Sequence, residues 1–311
     1  MRLIFMGTPH FAVPTLNALF SSCHELVAVF TQPDKPSGRG GRMSASPVKH
    51  LAETHRVPLF QPDKLKTEAV KIESFKPDAI VVVAYGKMLP SWLFTMPRYG
   101  AINLHASLLP KYRGAAPINW ALANGETVTG VTTMKIDASL DRGDILLQES
   151  VAIGPNETVL EIQDRLASIG AGLVLTTLDL LARNVITPTP QDGSKASYAP
   201  MLRKADGELD WNQTALEIYN RVRAFNPWPG TYTYLNGAIF RIWKAIPIET
   251  LVHHEIPGVL SHTINSKAVV TCRLGSLLLQ EVQLENRKRI PASDFLHGIR
   301  LSQDQSISLG R

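Results

Sequence analysis

The sequence has few cysteines and no long apolar run, and both absences limit what the chain can be. Its 311 residues include two cysteines, Cys23 and Cys272, which are far apart and form no metal-spaced pair. We therefore expect no disulfide framework and no bound metal, as is usual in a reducing compartment. The longest apolar run, residues 79–85 (AIVVVAY), has the length of a strand and is too short to cross a bilayer. The N-terminal MRLIFMGTPHF lacks a signal-peptide core, so we expect a cytoplasmic protein with no membrane partner.

The sequence also lacks a glycine fingerprint and a strong excess of one charge. The first apolar run, residues 2–7, ends in MGTP, whereas a dinucleotide site calls for G-x-G-x-x-G. Lys and Arg number 32 against 27 Asp and Glu, a formal net charge of +5. This mild basic excess is compatible with a polyanionic partner but does not require one.

Short apolar runs alternate with amphipathic stretches through the first half of the chain. The pattern predicts strands at 2–7, 25–31, 78–86, 101–107 and 130–137, with helices at 14–22, 46–55, 114–126 and 157–182. This alternation favours a doubly wound, mostly parallel α/β sheet, Rossmann-like in outline. In such sheets ligands bind beyond the carboxyl ends of the strands.

The second half of the chain has a different character. Residues 184–200 (NVITPTPQDGSKASYAP) show no periodicity and predict a surface linker. A predicted helix at 210–225 is followed by short β-prone runs, which indicate a small barrel. We therefore predict a catalytic domain at 1–187, a linker at 188–206 and a C-terminal domain at 207–311.

The segment INLHASLLP places three polar side chains at alternate positions of a predicted strand end. Asn103, His105 and Ser107 would share one face if the strand stayed extended. Downstream, IDASLDRGDIL carries Asp137, Asp141 and Asp144, and one of these carboxylates could pair with His105 and favour an imidazolium that donates to an oxyanion. A half-buried strand followed by an ordinary polar turn would show the same residues, so the pattern alone leaves both interpretations open.

Two basic segments are candidates for phosphate contacts. Residues 32–50 carry Lys35, Arg39 and Arg42 in a stretch rich in Gly, Pro and Ser, and residues 285–298 carry Arg287 and Lys288. Each segment is either a solvated loop or a basic surface for a nucleic-acid backbone.

Several motifs together resemble one family. FMGTPHFAVPTL, TQPDKPSGRG, AYGKMLP, INLHASLLPKYRGAAPINWAL, IDASLDRGDIL, SYAPMLRKADGELDW and RAFNPWPG occur in family order from near residue 5 to near residue 298. They resemble the methionyl-tRNA formyltransferases, within the enzymes that use 10-formyltetrahydrofolate. The resemblance implies a Rossmann-like domain followed by an OB-like barrel. It also implies formyl transfer from 10-formyltetrahydrofolate to the α-amino group of methionine on initiator tRNA, without a covalent enzyme intermediate, by a monomer.

The resemblance also implies roles for individual residues. Asn103, His105 and Asp141 match the catalytic trio. The positions expected at folate are Tyr85, Gly86, Met88, Leu89, Ser107, Leu108, Leu109, Pro110 and Asp137. The positions expected at tRNA are Phe11, Lys35, Arg39, Arg42, Arg203, Lys204, Arg287 and Lys288. One departure is Met201, where the family commonly has lysine; Arg203 and Lys204 are close enough in sequence to substitute.

Two other functions stay open at this point. A formyltransferase acting on a small amine, such as an amino sugar nucleotide or glycinamide ribonucleotide, would share the trio but would not need the basic loop. A non-catalytic RNA-binding protein on the same scaffold would not need His105.

Overall fold

The computed structural model describes residues 1–37, 42–248, 256–262, 267–299 and 305–310. The chain divides into two compact units. The first unit comprises Met1–Pro117, Val128–Ala152 and Leu160–Ala199. The second comprises Ile118–Thr127, Ile153–Val159 and the described residues of Pro200–Arg311.

The first unit is built around one large sheet. The strands of this unit, in the sheet and outside it, are β1 (Arg2–Gly7), β2 (Glu25–Phe30), β3 (Lys35–Ser37), β4 (Arg42–Ser44), β5 (Leu59–Phe60), β6 (Ala79–Val83), β7 (Ala101–His105), β8 (Arg113–Gly114), β9 (Val128–Lys135), β10 (Ile145–Ala152) and β11 (Tyr198–Ala199). The helices of this part of the chain are α1 (Val13–Phe20), α2 (Pro47–Thr54), α3 (Ala69–Ser74), α4 (Ser91–Thr95), α5 (Pro117–Ala123) and α6 (Val159–Ala182).

The main sheet has the strand order β10-β9-β7-β6-β1-β2-β5. The strands from β7 to β5 are parallel to their neighbours, whereas β9 is antiparallel to both β7 and β10. All five residues of β6 (AIVVV) are buried, as a strand covered on both faces should be. The predicted doubly wound, mostly parallel sheet is confirmed.

Helix α6 is the longest helix that the structure describes, with 24 residues. By length and apolar composition it alone among the described helices could cross a membrane, and half of its most apolar window is buried within the molecule. The Thr177 hydroxyl lies 2.8 Å from the Thr133 hydroxyl of β9. A Cβ at Gly170 would come within 2.6 Å of the Leu104 side chain of β7. The apolar face of α6 therefore packs directly on the sheet.

The predicted loop at 32–50 contains regular structure. Strands β3 and β4 pair antiparallel, with Lys35 opposite Ser44. Ser46 then caps α2, since its hydroxyl accepts a hydrogen bond from the Lys49 N–H at 3.1 Å, as the sequence predicts. Arg39 lies outside the described residues, and only the backbone of Arg42 is described.

The predicted linker is also more ordered than expected. The Thr189 N–H donates to the Ile145 carbonyl at 2.8 Å, and β11 pairs parallel with β8. Residues 189–199 therefore fold onto the first unit. A pair of two-residue strands is too short to leave a periodic signal in the sequence, which explains why the pattern predicts free chain here.

The second unit is a curled antiparallel sheet with two helices. Its helices are α7 (Ala215–Phe225) and α8 (Ala292–Gly298), and its strands are β12 (Thr231–Leu235), β13 (Ala238–Ile248), β14 (Val259–His262), β15 (Ala268–Thr271), β16 (Ser276–Leu284), β17 (Ile290–Pro291) and β18 (Ser306–Ser308). The strand order is β12-β13-β16-β15-β14-β18, with β17 beside β16. The Gly310 N–H, just after β18, donates to the Tyr234 carbonyl on β12 at 2.9 Å, so the two edges of the sheet approach each other. This confirms the predicted small antiparallel barrel.

Helix α7 begins later than the predicted residue 210 because a capping box fixes its start. The Thr214 hydroxyl accepts from the Glu217 N–H, and the Glu217 carboxylate accepts from the Thr214 N–H at 2.7 Å. One side of α7 contributes Ile218 and Val222 to the core of the barrel.

Two segments from the first half of the chain cluster with the second unit, although the predicted boundary would assign them to the catalytic domain. In residues 118–127, the Asn119 side chain donates to the Ala224 carbonyl at 2.7 Å. In residues 153–159, the carbonyls of Gly154 and Glu157 accept hydrogen bonds from the buried Arg223 guanidinium. These contacts tie both segments to the C-terminal end of α7.

Candidate active site

His105 is the last residue of β7, and its imidazole is held in one orientation. The ring is buried, and Nε2 lies 2.9 Å from the backbone carbonyl oxygen of Tyr112. A carbonyl oxygen can only accept, so Nε2 carries the hydrogen. The other ring nitrogen, Nδ1, faces the Asp141 carboxylate, with Oδ2 3.9 Å away. This is too long for a hydrogen bond, and it leaves Nδ1 as the ring nitrogen available to a reacting group.

Asn103 lies two residues before His105 and shares its face of β7. It is half-buried, with β6 on one side of its strand and β9 on the other. Its carboxamide makes no hydrogen bond to another residue in the described part of the chain. Its NH₂ group therefore has donors available close to His105.

Asp141 lies in the connection between β9 and β10, and its backbone is left-handed with φ +52°. Carboxylate atom Oδ2 accepts a hydrogen bond from the Gly114 N–H at 2.8 Å, and this contact directs the carboxylate towards His105. The predicted imidazole–carboxylate juxtaposition is thus present. It is an electrostatic contact across a gap, since no direct hydrogen bond joins the two groups.

Gly143 explains why this turn needs the D-x-G spacing. It is buried, and a Cβ at this position would collide with the backbone carbonyl of Lys135. The residue two positions after Asp141 must therefore be glycine for the turn to lie this close to the end of β9.

Gly143→Ala is expected to push the 141–143 turn away from β9 and to lower kcat about 100-fold, the scale of a misplacement by about 1 Å. Thermal unfolding and the formyl transfer that the resemblance implies would be measured together. Gly193→Ala is the matched control because a Cβ there meets nothing within 4 Å. Wild-type activity in Gly143→Ala would contradict this account of the turn.

Ser107 lies beyond the end of β7, so it does not continue the face that Asn103 and His105 share. Its hydroxyl donates to the Lys111 carbonyl at 2.7 Å and closes the 107–111 turn. The neighbouring Leu109 is held by Thr132 and Gln148, through its N–H and its carbonyl respectively. The SLLP segment is thus a fixed wall beside His105, offering mainly backbone groups and the half-buried Leu108 and Pro110.

The AYGKMLP segment follows β6 and offers backbone more than side chains. The Tyr85 ring is buried in the apolar cluster under the sheet, and burial raises the pKa of its phenol to about 12. Its backbone carbonyl accepts from the Gln32 side chain at 2.9 Å, and Gly86 follows with φ +78°. Met88 is 91% exposed, while Leu89 is half-buried against the same cluster. Tyr85 therefore contributes packing and a carbonyl to this region.

The remaining residues expected at folate or tRNA have these environments. Asp137 is exposed and accepts from the Ser139 N–H at 2.7 Å. Lys35 is exposed and donates to Gln32, whereas Phe11 is buried. The residues of the second unit that the resemblance singles out are all exposed: Met201, Arg203, Lys204, Arg287 and Lys288.

Sequence reasoning missed residues that surround Asp141. Gln191 and Arg113 both lie at this site, where the Gln191 side chain contacts the 141–143 backbone and the Arg113 guanidinium. Tyr198 accepts a hydrogen bond from Arg142 at 3.0 Å, and this guanidinium lowers the pKa of the Tyr198 phenol. No local pattern indicates that Gln191 belongs to this site, because it is a single amide in an aperiodic Pro- and Thr-rich stretch.

Comparisons with known proteins agree with this architecture. Residues 1–178 match the family model described as Formyl transferase, and residues 201–300 match Formyl transferase, C-terminal domain. The methionyl-tRNA formyltransferase of Alkaliphilus oremlandii is 48% identical over 300 residues, which are 96% of this chain and 96% of the relative. That of Geobacter sulfurreducens is 48% identical over 304 residues, 97% of this chain and 95% of the relative.

A solved structure shows the same fold at much lower identity. An N-formyltransferase from Helicobacter canadensis, crystallised with folinic acid and dTDP-3-aminofucose, superposes with a TM-score of 0.67 at 18% identity. The match covers 89% of this chain and 98% of that one. With both family models and near-full-length relatives at 48% identity, the chain belongs to the methionyl-tRNA formyltransferase family.

Proposed function

We propose that this protein transfers the formyl group of 10-formyltetrahydrofolate to the α-amino group of methionine on initiator methionyl-tRNA. The observation that carries the proposal is the Asp141 carboxylate 3.9 Å from His105 Nδ1, beside the Asn103 carboxamide, which makes no hydrogen bond to another described residue. Family membership supplies the co-substrate and the acceptor, and the site supplies groups suited to acyl transfer.

The reaction begins when the uncharged amine attacks the formyl carbon. A new C–N bond forms, and the electron pair of the formyl C=O moves onto oxygen to give a tetrahedral oxyanion. Collapse of this intermediate breaks the bond between the formyl carbon and folate N10. The proton lost by the amine balances the one that N10 gains, so formylmethionyl-tRNA and tetrahydrofolate leave without a covalent enzyme intermediate.

Each of the three side chains has a distinct role in this proposal. Asn103 donates its NH₂ group to the oxyanion, and protonated His105 donates from Nδ1, because Nε2 is already bonded to Tyr112. One such donor is worth about 3 kcal/mol of transition-state stabilisation. Asp141 favours the imidazolium electrostatically and accepts the amine proton, directly or through a water molecule.

Folate would lie beyond the carboxyl ends of β6 and β7, against AYGKMLP and the SLLP wall. The backbone groups of Met88 and Leu89 would recognise the pteridine. This placement agrees with the buried ring of Tyr85 and the engaged hydroxyl of Ser107, which leave backbone groups as the main contacts.

The decisive assay offers the full chain 10-formyltetrahydrofolate with charged initiator tRNA or with small amines, namely an amino sugar nucleotide and glycinamide ribonucleotide. We expect formyl transfer to methionyl-tRNA and none to the small amines. Transfer to a small amine alone would overturn the tRNA assignment. Binding of tRNA without any transfer would favour a non-catalytic RNA-binding protein.

The basic residues at 35–42 are proposed to contact the tRNA acceptor stem. Arg39→Ala is expected to raise the KM for methionyl-tRNA several-fold and to reduce the slope of binding against salt by about one charge, with folate binding unchanged. Lys66→Ala serves as the control, since the side chain of this exposed lysine makes no hydrogen bond or ion pair with another described residue. An unchanged salt slope in Arg39→Ala would mean that Arg39 is only solvated.

We further propose that the protein is a cytoplasmic monomer with no membrane partner and no bound metal. Its catalytic domain would span 1–187, its linker 188–206 and its C-terminal domain 207–311. The linker would offer Arg203 and Lys204 to the tRNA, and the C-terminal domain would offer Arg287 and Lys288. Sedimentation of the free protein and of its tRNA complex tests the monomer directly.

A further inference from the structure

Gln191 makes a two-point contact with the turn that carries Asp141. Its Nε2 donates to the backbone carbonyl of Asp141 at 2.9 Å and to that of Gly143 at 2.8 Å. One NH₂ group therefore satisfies two carbonyls that are two residues apart, which fixes the shape of the turn between them.

The buried Arg113 guanidinium sets the orientation of this amide. Its Nε and Nη2 donate to Oε1 of Gln191 at 3.0 and 2.7 Å. A flipped amide would place NH₂ against the guanidinium and an oxygen against two carbonyls, so only one orientation satisfies all four groups. The charged donor also strengthens the contact.

Strand β8 therefore holds both the backbone and the carboxylate of Asp141. Arg113 reaches the Asp141 backbone through Gln191, and the adjacent Gly114 donates its N–H to the Asp141 carboxylate at 2.8 Å. Strand β8 is itself anchored to the 197–199 segment, where the Arg113 N–H donates to the Ser197 carbonyl at 2.8 Å. Gly114 has φ +119°, and a Cβ there would lie 2.6 Å from the Ala199 carbonyl oxygen, so the two strands could not approach with a side chain at this position.

The backbone of Asp141 needs such support. A left-handed conformation at φ +52° costs free energy for a residue other than glycine and persists only where the surroundings hold it. The contact from Gln191 to the Asp141 carbonyl acts on the peptide group whose rotation would relieve this strain.

We propose that Gln191, oriented by Arg113, is a positioning residue that holds the Asp141 carboxylate opposite His105. This inference rests on the proposed function, because it assigns Asp141 a part in formyl transfer. Gln191 does not touch the reacting groups, and its effect on the rate passes through the position of Asp141.

Two variants test the role. Gln191→Met removes both donors and the acceptor at similar volume. Gln191→Glu keeps the acceptor for Arg113 and replaces the two donors with a carboxylate oxygen. We expect the pair with Arg113 to survive and the contact with the two carbonyls of the turn to be lost. Both variants are expected to lower kcat for methionyl-tRNA by about 10- to 100-fold while the KM for folate stays within about 2-fold. Gln163→Met, at a glutamine of α6 with no hydrogen bond to another described residue, should match the wild type.

A double-mutant cycle separates positioning from general stability. In an Asp141→Asn background, Gln191→Glu should change the remaining rate by less than about 3-fold, since the group that it positions is already disabled. Independent, multiplicative losses would overturn the proposal, as would wild-type kcat in Gln191→Glu. A wild-type chain that formylates no methionyl-tRNA would instead overturn the proposed function, and the role of Gln191 with it.

Discussion

Asp141→Asn is expected to lower the single-turnover rate of formyl transfer on the order of 1,000-fold, within the range of a lost general base. Asparagine keeps an oxygen that can accept from the Gly114 N–H, so the turn should keep its place. It removes the negative charge opposite His105 Nδ1 and the group that we propose as the acceptor of the amine proton. The loss should therefore appear in the chemical step.

Binding measurements complete this test. The affinities for methionyl-tRNA and folate should stay within about 3-fold of wild type, because neither depends on the proton acceptor. Asp144→Asn is the matched control, since its carboxylate lies in the same connection and makes no hydrogen bond to another described residue. A rate within 10-fold of wild type in Asp141→Asn, or a parallel loss of tRNA binding, would contradict the assigned role.

His105→Ala is also expected to lower the rate on the order of 1,000-fold, because it removes the charged donor that we propose for the oxyanion. The truncation removes the His105 hydrogen bond to the Tyr112 carbonyl, so part of any loss could come from a disturbed 107–112 turn. His105→Gln distinguishes the two, since it restores a neutral amide donor at similar length. We expect it to recover the melting temperature but only part of the rate.

The control for His105→Ala is His55→Ala, which removes an imidazole that stacks on Phe20. It should keep the wild-type rate. Full activity in His105→Ala would show that the imidazole takes no part in the reaction, and Asn103 would then be the main oxyanion donor.

Helices and strands with a strong hydrophobic pattern are predicted well from the sequence. Strand β6 is an uninterrupted apolar run, and α6 is a long amphipathic helix, so both were expected close to their observed bounds. Ser46 was also expected at the start of α2, because a serine followed by proline is a local signal that needs no tertiary information.

Local sequence patterns predict only part of the candidate site. Asn103 and His105 follow from strand alternation, whereas Ser107 does not join them because β7 ends at His105. Gln191 contacts Asp141 across 50 positions in sequence, and no local pattern encodes such a contact. Tyr85 is the last residue of the apolar run 79–85, and its ring lies in the apolar cluster under the sheet, so burial decides its orientation.

The bond from His105 Nε2 to Tyr112 has a consequence for how protons move. A free imidazole exchanges between two tautomers, and each exchange can carry a proton from one side of the ring to the other. Here the hydrogen on Nε2 stays in its bond to the Tyr112 carbonyl, which can only accept. The ring therefore cannot pass a proton from one of its nitrogens to the other. Every proton that His105 gains or loses must therefore enter and leave at Nδ1, on the side of Asp141. His105 can exchange protons only with groups on that side of the ring.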